Sequence, residues 1–131
     1  NRHQKSTRFL LASLPGDQHR LGLQMVASMI TLAGGKVIYL GPQTPSREIL
    51  RAIEQFSPEV LCLSISSVLD ERQVAQTLEE LRLYVPDHVK IIIGGKGSPP
   101  PPTGITRIYD LREFITWISE SSLVNATTQE A

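Results

Sequence analysis

Residues 8–40 read RFLLASLPGDQHRLGLQMVASMITLAGGKVIYL, and this stretch decides the fold. Its opening, Arg8–Leu14, is an apolar run stopped by Pro15-Gly16, the pattern of a strand that ends in a loop. From Arg20 to Ala33 the apolar residues Leu21, Met25, Met29 and Leu32 recur at helical spacing, which predicts a helix with these residues on its core stripe. Gly34-Gly35 supplies the left-handed residue that ends such a helix. Lys36–Leu40 (KVIYL) is a second strand. A strand, a helix and a strand joined by short connections make a βαβ unit, and therefore a parallel sheet.

The alternation continues beyond this unit. Thr44-Pro45 predicts an N-cap followed by proline at the first helical position, opening a helix to about Phe56. Glu59–Ile65 (EVLCLSI) is nearly continuous in apolar character, as strands buried on both faces are. Asp70, with Gln73 three residues on, starts a helix carrying Val74, Leu78 and Leu81. Val89–Ile93 and Thr106–Tyr109 are a fourth and a short fifth strand. Asp110 with Glu113 caps a last helix with Leu111, Phe114, Ile115 and Ile118 on one face. Right-handed crossovers through five strands give an α/β, flavodoxin-like (Rossmann-like) parallel sheet of order 2-1-3-4-5. The connection between strands four and five is irregular. It holds four consecutive prolines, Pro99 to Pro102, which exclude a helix and predict an extended loop.

The 131 residues fit one domain over residues 8–120, with polar tails at 1–7 and 121–131. Thirteen basic residues balance thirteen acidic ones, so no clustered positive excess is available for gripping nucleic acid directly. The single cysteine, Cys62, has no partner for an internal disulfide and reads as a small buried hydrophobe, consistent with a reducing cytoplasm. No apolar stretch approaches the roughly 20 residues that span a bilayer. The polar start Asn1-Arg2-His3-Gln4-Lys5 is unlike a secretory signal. It also lacks an initiator methionine, so the chain reads as one domain of a larger protein.

In open α/β sheets ligands bind beyond the carboxyl ends of the strands where strand order reverses, here between strands one and three. The loops to inspect therefore follow strands one, three and four. They contain Asp17-Gln18-His19-Arg20-Leu21-Gly22, Ser64-Ile65-Ser66 and Gly94-Gly95. An aspartate two residues before a histidine can accept a hydrogen bond from one ring nitrogen, leaving the other free to bind a metal. The adjacent helix N-terminus favours the neutral imidazole that such binding needs. Gly22 permits a bulky planar ligand to approach the first helical turn. Taken alone, the histidine reads better as a residue that only caps a helix or is solvated.

The intervals add what the histidine lacks. Forty-one residues separate Gly22 from Ser64, and 27 separate Ser66 from Gly94. Asp-x-His-x-x-Gly, Ser-x-Leu and Gly-Gly at such intervals resemble the signature of cobalamin-binding domains, and the resemblance spans residues 8–120. It implies that His19 ligates the cobalt of cobalamin in place of the cofactor's own dimethylbenzimidazole, with Asp17 as its hydrogen-bond partner. The displaced nucleotide tail would enter a slot beside the sheet, where Ser64 hydrogen-bonds the base and Gly94 and Gly95 leave room. Two features depart from the pattern. Ser66 stands where the family has leucine, offering a second hydroxyl to the tail, and the proline loop replaces a helix that in the family helps to close the slot.

The run Leu14 to Leu23 (LPGDQHRLGL), with Leu40-Gly41-Pro42-Gln43-Thr44-Pro45 after the second strand, resembles the C-terminal cobalamin domains of MerR-type, CarH-like transcriptional regulators. That resemblance implies a sensory module rather than an enzyme. Adenosylcobalamin or methylcobalamin would be its cofactor, and a response to light would be available. Companion helical-bundle and DNA-binding domains would belong to the same protein, with DNA contacted only through them and homo-oligomers formed. Two alternatives stay open: a corrinoid-carrying domain of a methyltransferase system, and a cobalamin-free interaction domain. His3, in a terminal tail, and His88, in a turn, read as solvated, and Phe114 and Trp117 as core.

Overall fold

The computed structural model describes residues 6–14, 21–65, 70–95 and 98–121. In chain order they form β1 (Arg8–Ser13), α1 (Leu21–Leu32), β2 (Lys36–Gly41), α2 (Ser46–Phe56), β3 (Val60–Ser64), α3 (Glu71–Tyr84), β4 (Lys90–Gly94), β5 (Ile105–Arg107) and α4 (Leu111–Ser121). The strands make one sheet of order β2-β1-β3-β4-β5 with every pairing parallel. The expected architecture is the observed one. The fifth strand is displaced from expectation to Ile105–Arg107, although Ile108 still donates its N–H to Ile93 O at 2.8 Å.

Strand alternation divides the core between the two sides of the sheet. Leu10, Ala12, Leu61, Leu63, Ile91 and Ile93 face α2 and α3, packing with Ile49, Val74, Leu78 and Leu81. Phe9, Leu11, Val60, Cys62 and Ile92 face α1 and α4, packing with Leu23, Ile30, Phe114 and Ile118. Helix starts follow the expected chemistry at two places. Asp70 accepts hydrogen bonds from the N–H groups of Arg72 and Gln73, and Asp110 accepts one from Glu113 N at 2.8 Å while Glu113 accepts from Tyr109 N. Gly34, at φ +96°, ends α1, with Gly35 N donating to Ile30 O.

Three expectations are corrected. The buried stripe of α1 is Leu23 and Ile30 with half-buried Val26 and Ala27, whereas Met25 is 44% exposed and Leu32 is 88% exposed. Met29 is half-buried, and the side chain of Leu21 lies outside the description. Because α1 is apolar around much of its circumference, more than one stripe satisfies a 3.6-residue period, and packing on β1 and β2 selects the one centred on Val26. Thr44 is not a cap. Pro45 occupies the cap position of α2 in an extended conformation (φ −65°, ψ 153°), and Thr44 Oγ1 turns back to donate to Gly41 O at 3.1 Å. Ile115 leaves the inward face of α4, which is covered on one side only. Phe114 and Ile118 are buried, Leu111 and Trp117 half-buried, and the rings of Phe114 and Trp117 stack 6.4 Å apart.

The connection from β4 to β5 contains no helix among its described residues: Ser98 and Pro99 are buried, and the chain turns at Thr103 and Gly104. Arg82 of α3 secures this region. Its guanidinium donates to the carbonyls of Val85, Pro86, Val89 and Gly104 at 2.9–3.2 Å. Among the described residues no helix is long and apolar enough to cross a membrane.

Candidate functional site

At the carboxyl ends of the central strands the register aligns Ser13 of β1, Ser64 of β3 and Gly94 of β4 in one row. All three lie two residues beyond Leu11, Cys62 and Ile92, which face α1 and α4, so the row lies on that side of the sheet. A cavity of about 230 Å³ opens beside it. Cys62 and Ile92 form its floor, and Gly22, Leu23 and Val26 of α1 form one wall. Ile108 to Leu111 and Phe114, at the start of α4, form the other wall, and Ser64, Gly94 and Gly95 stand at its rim.

Four expected site residues thus meet around one cavity although they come from three separate loops: Gly22, Ser64, Gly94 and Gly95. Asp17, His19 and Ser66 lie outside the described residues. The glycines differ in what they do. A Cβ at Gly22 would meet none of the described residues within 4 Å, so among them this wall of the cavity is open space that a side chain would enter. A Cβ at Gly94 would sit 3.5 Å from Ile108 O, an ordinary contact. Gly95 has φ +105°, and a Cβ there would lie 2.3 Å from Ile65 O. Only glycine can occupy this position, because backbone meets backbone.

The walls are apolar, with the Ser64 hydroxyl at the rim and Tyr109 and Asp110 at the α4 side. Such a pocket suits a flat aromatic group that accepts a hydrogen bond at one edge, so the donor set fits the base of a cobalamin tail. Burial pushes the Cys62 thiol well up, so the floor is a neutral, unreactive surface. Sequence reasoning missed the wall residues Leu23, Val26 and Ile108, and assigned Phe114 to the core alone; it serves both. The β4–β5 connection also has a different place from the one expected. With strand order 2-1-3-4-5, a right-handed crossover from β4 to β5 lies on the same side as α3, away from the cavity. The absent helix therefore leaves the cavity wall untouched, and the start of α4 closes that side.

Comparison with known proteins agrees with this architecture. Residues 7–105 match the B12 binding domain family. The trimethylamine corrinoid protein of Methanosarcina barkeri is 31% identical over 88 residues, covering 65% of this chain and 40% of that protein. The HTH-type transcriptional repressor CarA of Myxococcus xanthus is 33% identical over 92 residues, covering 70% of this chain and 31% of the repressor. The chain therefore spans well under half the length of these relatives. Among solved structures, a cobalamin-binding protein from Desulfitobacterium hafniense DCB-2 superposes with a TM-score of 0.72 at 22% identity, over 88% of this chain and 59% of that one. The methanol:cobalamin methyltransferase complex MtaBC from Methanosarcina barkeri gives 0.76 at 16% identity, over 92% of this chain and 48% of that one. At such identities the structures speak to the fold, while the family match covers most of the chain. From its strand order, its aligned loops and this match, the chain belongs to the B12-binding domain family and is a cobalamin-binding domain.

Proposed function

We propose that this domain holds cobalamin through His19 on the cobalt, with the cofactor's own base displaced into the cavity beside Ser64. The observation that carries this reading is the cavity itself. It lies where Gly22, three residues after His19, meets Ser64, Gly94 and Gly95, and its α1 wall is left open at Gly22. In this reading Asp17 accepts a hydrogen bond from the His19 ring and fixes its tautomer. Ser64 and Ser66 offer hydroxyls to the tail, and the apolar walls exclude water from the base. The cofactor supplies a cobalt–carbon bond that chemistry or light can cleave. The domain would supply the imidazole of His19 to the cobalt and the slot to the tail, acting as a binding or carrier module rather than a catalyst.

Within that role we favour a sensory module of a transcriptional regulator, working in the cytoplasm beside helical-bundle and DNA-binding domains of the same protein. Its support is the similarity to CarA and the LPGDQHRLGL run at residues 14–23. A corrinoid carrier for methyl transfer is the second reading, supported by the similarity to trimethylamine corrinoid proteins. Hydroxocobalamin titration followed by absorbance tests the ligation. Wild type is expected to shift the spectrum to the histidine-ligated form, and His19→Ala is expected to lose that shift. An unchanged bound spectrum in His19→Ala overturns histidine ligation, and an absence of binding by wild type leaves an interaction domain without cofactor. The natural protein upstream of Asn1 separates the two roles: a winged helix-turn-helix supports the regulator, and a substrate-binding barrel supports the carrier.

A further inference from the structure

We infer that Ser13 is a second hydroxyl contact for the nucleotide tail of cobalamin, working beside Ser64 from the neighbouring strand. The inference rests on the reading that the cavity receives the tail. Ser13 is fully buried (0% exposed), and its Oγ makes no hydrogen bond among the described residues. Its carbonyl is satisfied, since Ser13 O accepts from Thr44 N at 2.8 Å. The side-chain hydroxyl is unmatched among the described residues. Buried hydroxyls without partners are rare because removal from water is not compensated, so one retained at a strand end calls for a partner absent from the apo protein.

Its position says which partner. Ser13 shares its face of β1 with Phe9 and Leu11, which pack in the α1 and α4 cluster, and not with Leu10 and Ala12 on the other side. It is aligned with Ser64, which is aligned in turn with Gly94, and both of those residues border the cavity. Ser13 is thus the third member of a row whose other two members meet the cavity directly. Neighbouring strands lie about 4.8 Å apart. At that spacing a single acceptor, or one bridging water, can bond both hydroxyls at ordinary distances of about 2.8 Å. A cobalamin tail carries such acceptors on its base, ribose and phosphate. The other buried hydroxyl without a partner, Ser98, belongs to the β4–β5 connection and does not share this row.

The test uses two ligands and two variants in the intact chain. Cobinamide keeps the corrin ring and cobalt but lacks the nucleotide tail. Ser13→Ala is expected to weaken cobalamin binding about tenfold, the effect of one hydrogen bond to a bound group. It should leave cobinamide binding and the histidine-ligated spectrum unchanged, and keep the apo melting temperature at or above that of wild type. Ser13→Thr, which keeps the hydroxyl, should retain most of the cobalamin affinity. Unchanged cobalamin binding in Ser13→Ala overturns the inference. Equal loss for both ligands, or a lowered apo melting temperature, also overturns it, because either marks a role in the fold or the first loop. Failure of the underlying reading looks different: wild type itself would then bind cobalamin no more tightly than cobinamide.

Discussion

On the side of the sheet covered by α2 and α3, Leu10, Leu61, Ile91 and Ile93 interlock with Ile49, Val74, Leu78 and Leu81, each at most 4% exposed. On the side covered by α1 and α4, the same strands present Phe9, Leu11, Cys62 and Ile92 to a smaller cluster interrupted by a cavity, and the unpartnered Ser13 hydroxyl lies in register with Ser64 at its rim. Both sides are built from one set of apolar runs. The difference arises at the strand ends, where Ser13, Ser64 and Gly94 replace aliphatic residues on one side while Ala12, Leu63 and Ile93 continue the core on the other. One side of the sheet is packed throughout, and the other leaves open the cavity that the proposed function fills with the cofactor's tail. Stability and ligand binding should therefore be separable by mutation.

The largest break in this contrast is expected from Leu78→Ala, which empties a fully buried site in the closed cluster. It should cost about 2–5 kcal/mol in denaturant unfolding of the apo protein. Val26→Ala, on the half-buried cavity wall, should cost clearly less; equal losses would show that the two sides are packed alike. Arg82→Ala comes next. Four carbonyls lose their donor, and the expected loss is about 2 kcal/mol with no recovery in Arg82→Lys, because an ammonium cannot span them as the guanidinium fork does. Full recovery by lysine would reduce the contact to its charge.

Cys62 sharpens the comparison through pH. Its folded pKa is raised above the ordinary 9.0, so its contribution is whole below pH 9. It is lost as pH rises further and the unfolded thiol ionises while the buried one cannot. Wild type should then lose about 1.4 kcal/mol per pH unit relative to Cys62→Ala in paired unfolding curves above pH 9. Parallel curves would mean that the cavity floor is wetter than its burial indicates. The smallest effect belongs to Gly22→Ala. A methyl group placed in open space within a helix should raise apo stability by about 0.5–1 kcal/mol. The same methyl group should weaken cobalamin binding in titration, and a gain in both would contradict the use of that space by a ligand.

Most of this fold was legible in the sequence because β1 to β4 are each centred on a continuous apolar run and Asp70 and Asp110 mark helix starts. The short β5, Ile105-Thr106-Arg107, has no such run and is displaced by a residue or two from its expected place. Helix α1 was not legible in this way, because periodicity fixes a stripe only when the opposite side of the helix is polar. In LGLQMVASMITL both the Met25 and the Val26 stripes are apolar, and only the sheet beneath decides between them. The spacing of Gly22, Ser64, Gly94 and Gly95 was enough to bring these residues together around one cavity. Ser13 was invisible in the sequence for a different reason: a serine ending an apolar run looks like a strand terminus, and only register and burial reveal its unmatched hydroxyl. The side of the sheet taken by the proline loop followed from strand order and crossover handedness, yet the family pattern alone suggested the wrong wall.

The contact between Gly95 and Ile65 has a consequence for how this chemistry can be inherited. Ile65 N donates to Gly94 O at 2.8 Å, and the Gly95 backbone lies so close to Ile65 O that no other residue fits there. The segments leaving β3 and β4 are therefore locked as one piece and cannot diverge independently. Recombination or grafting that exchanges one of them alone should yield a misfit, whereas moving the pair with its two strands carries the rim of the cavity intact. The smallest transferable piece of this cavity rim is a pair of strand ends.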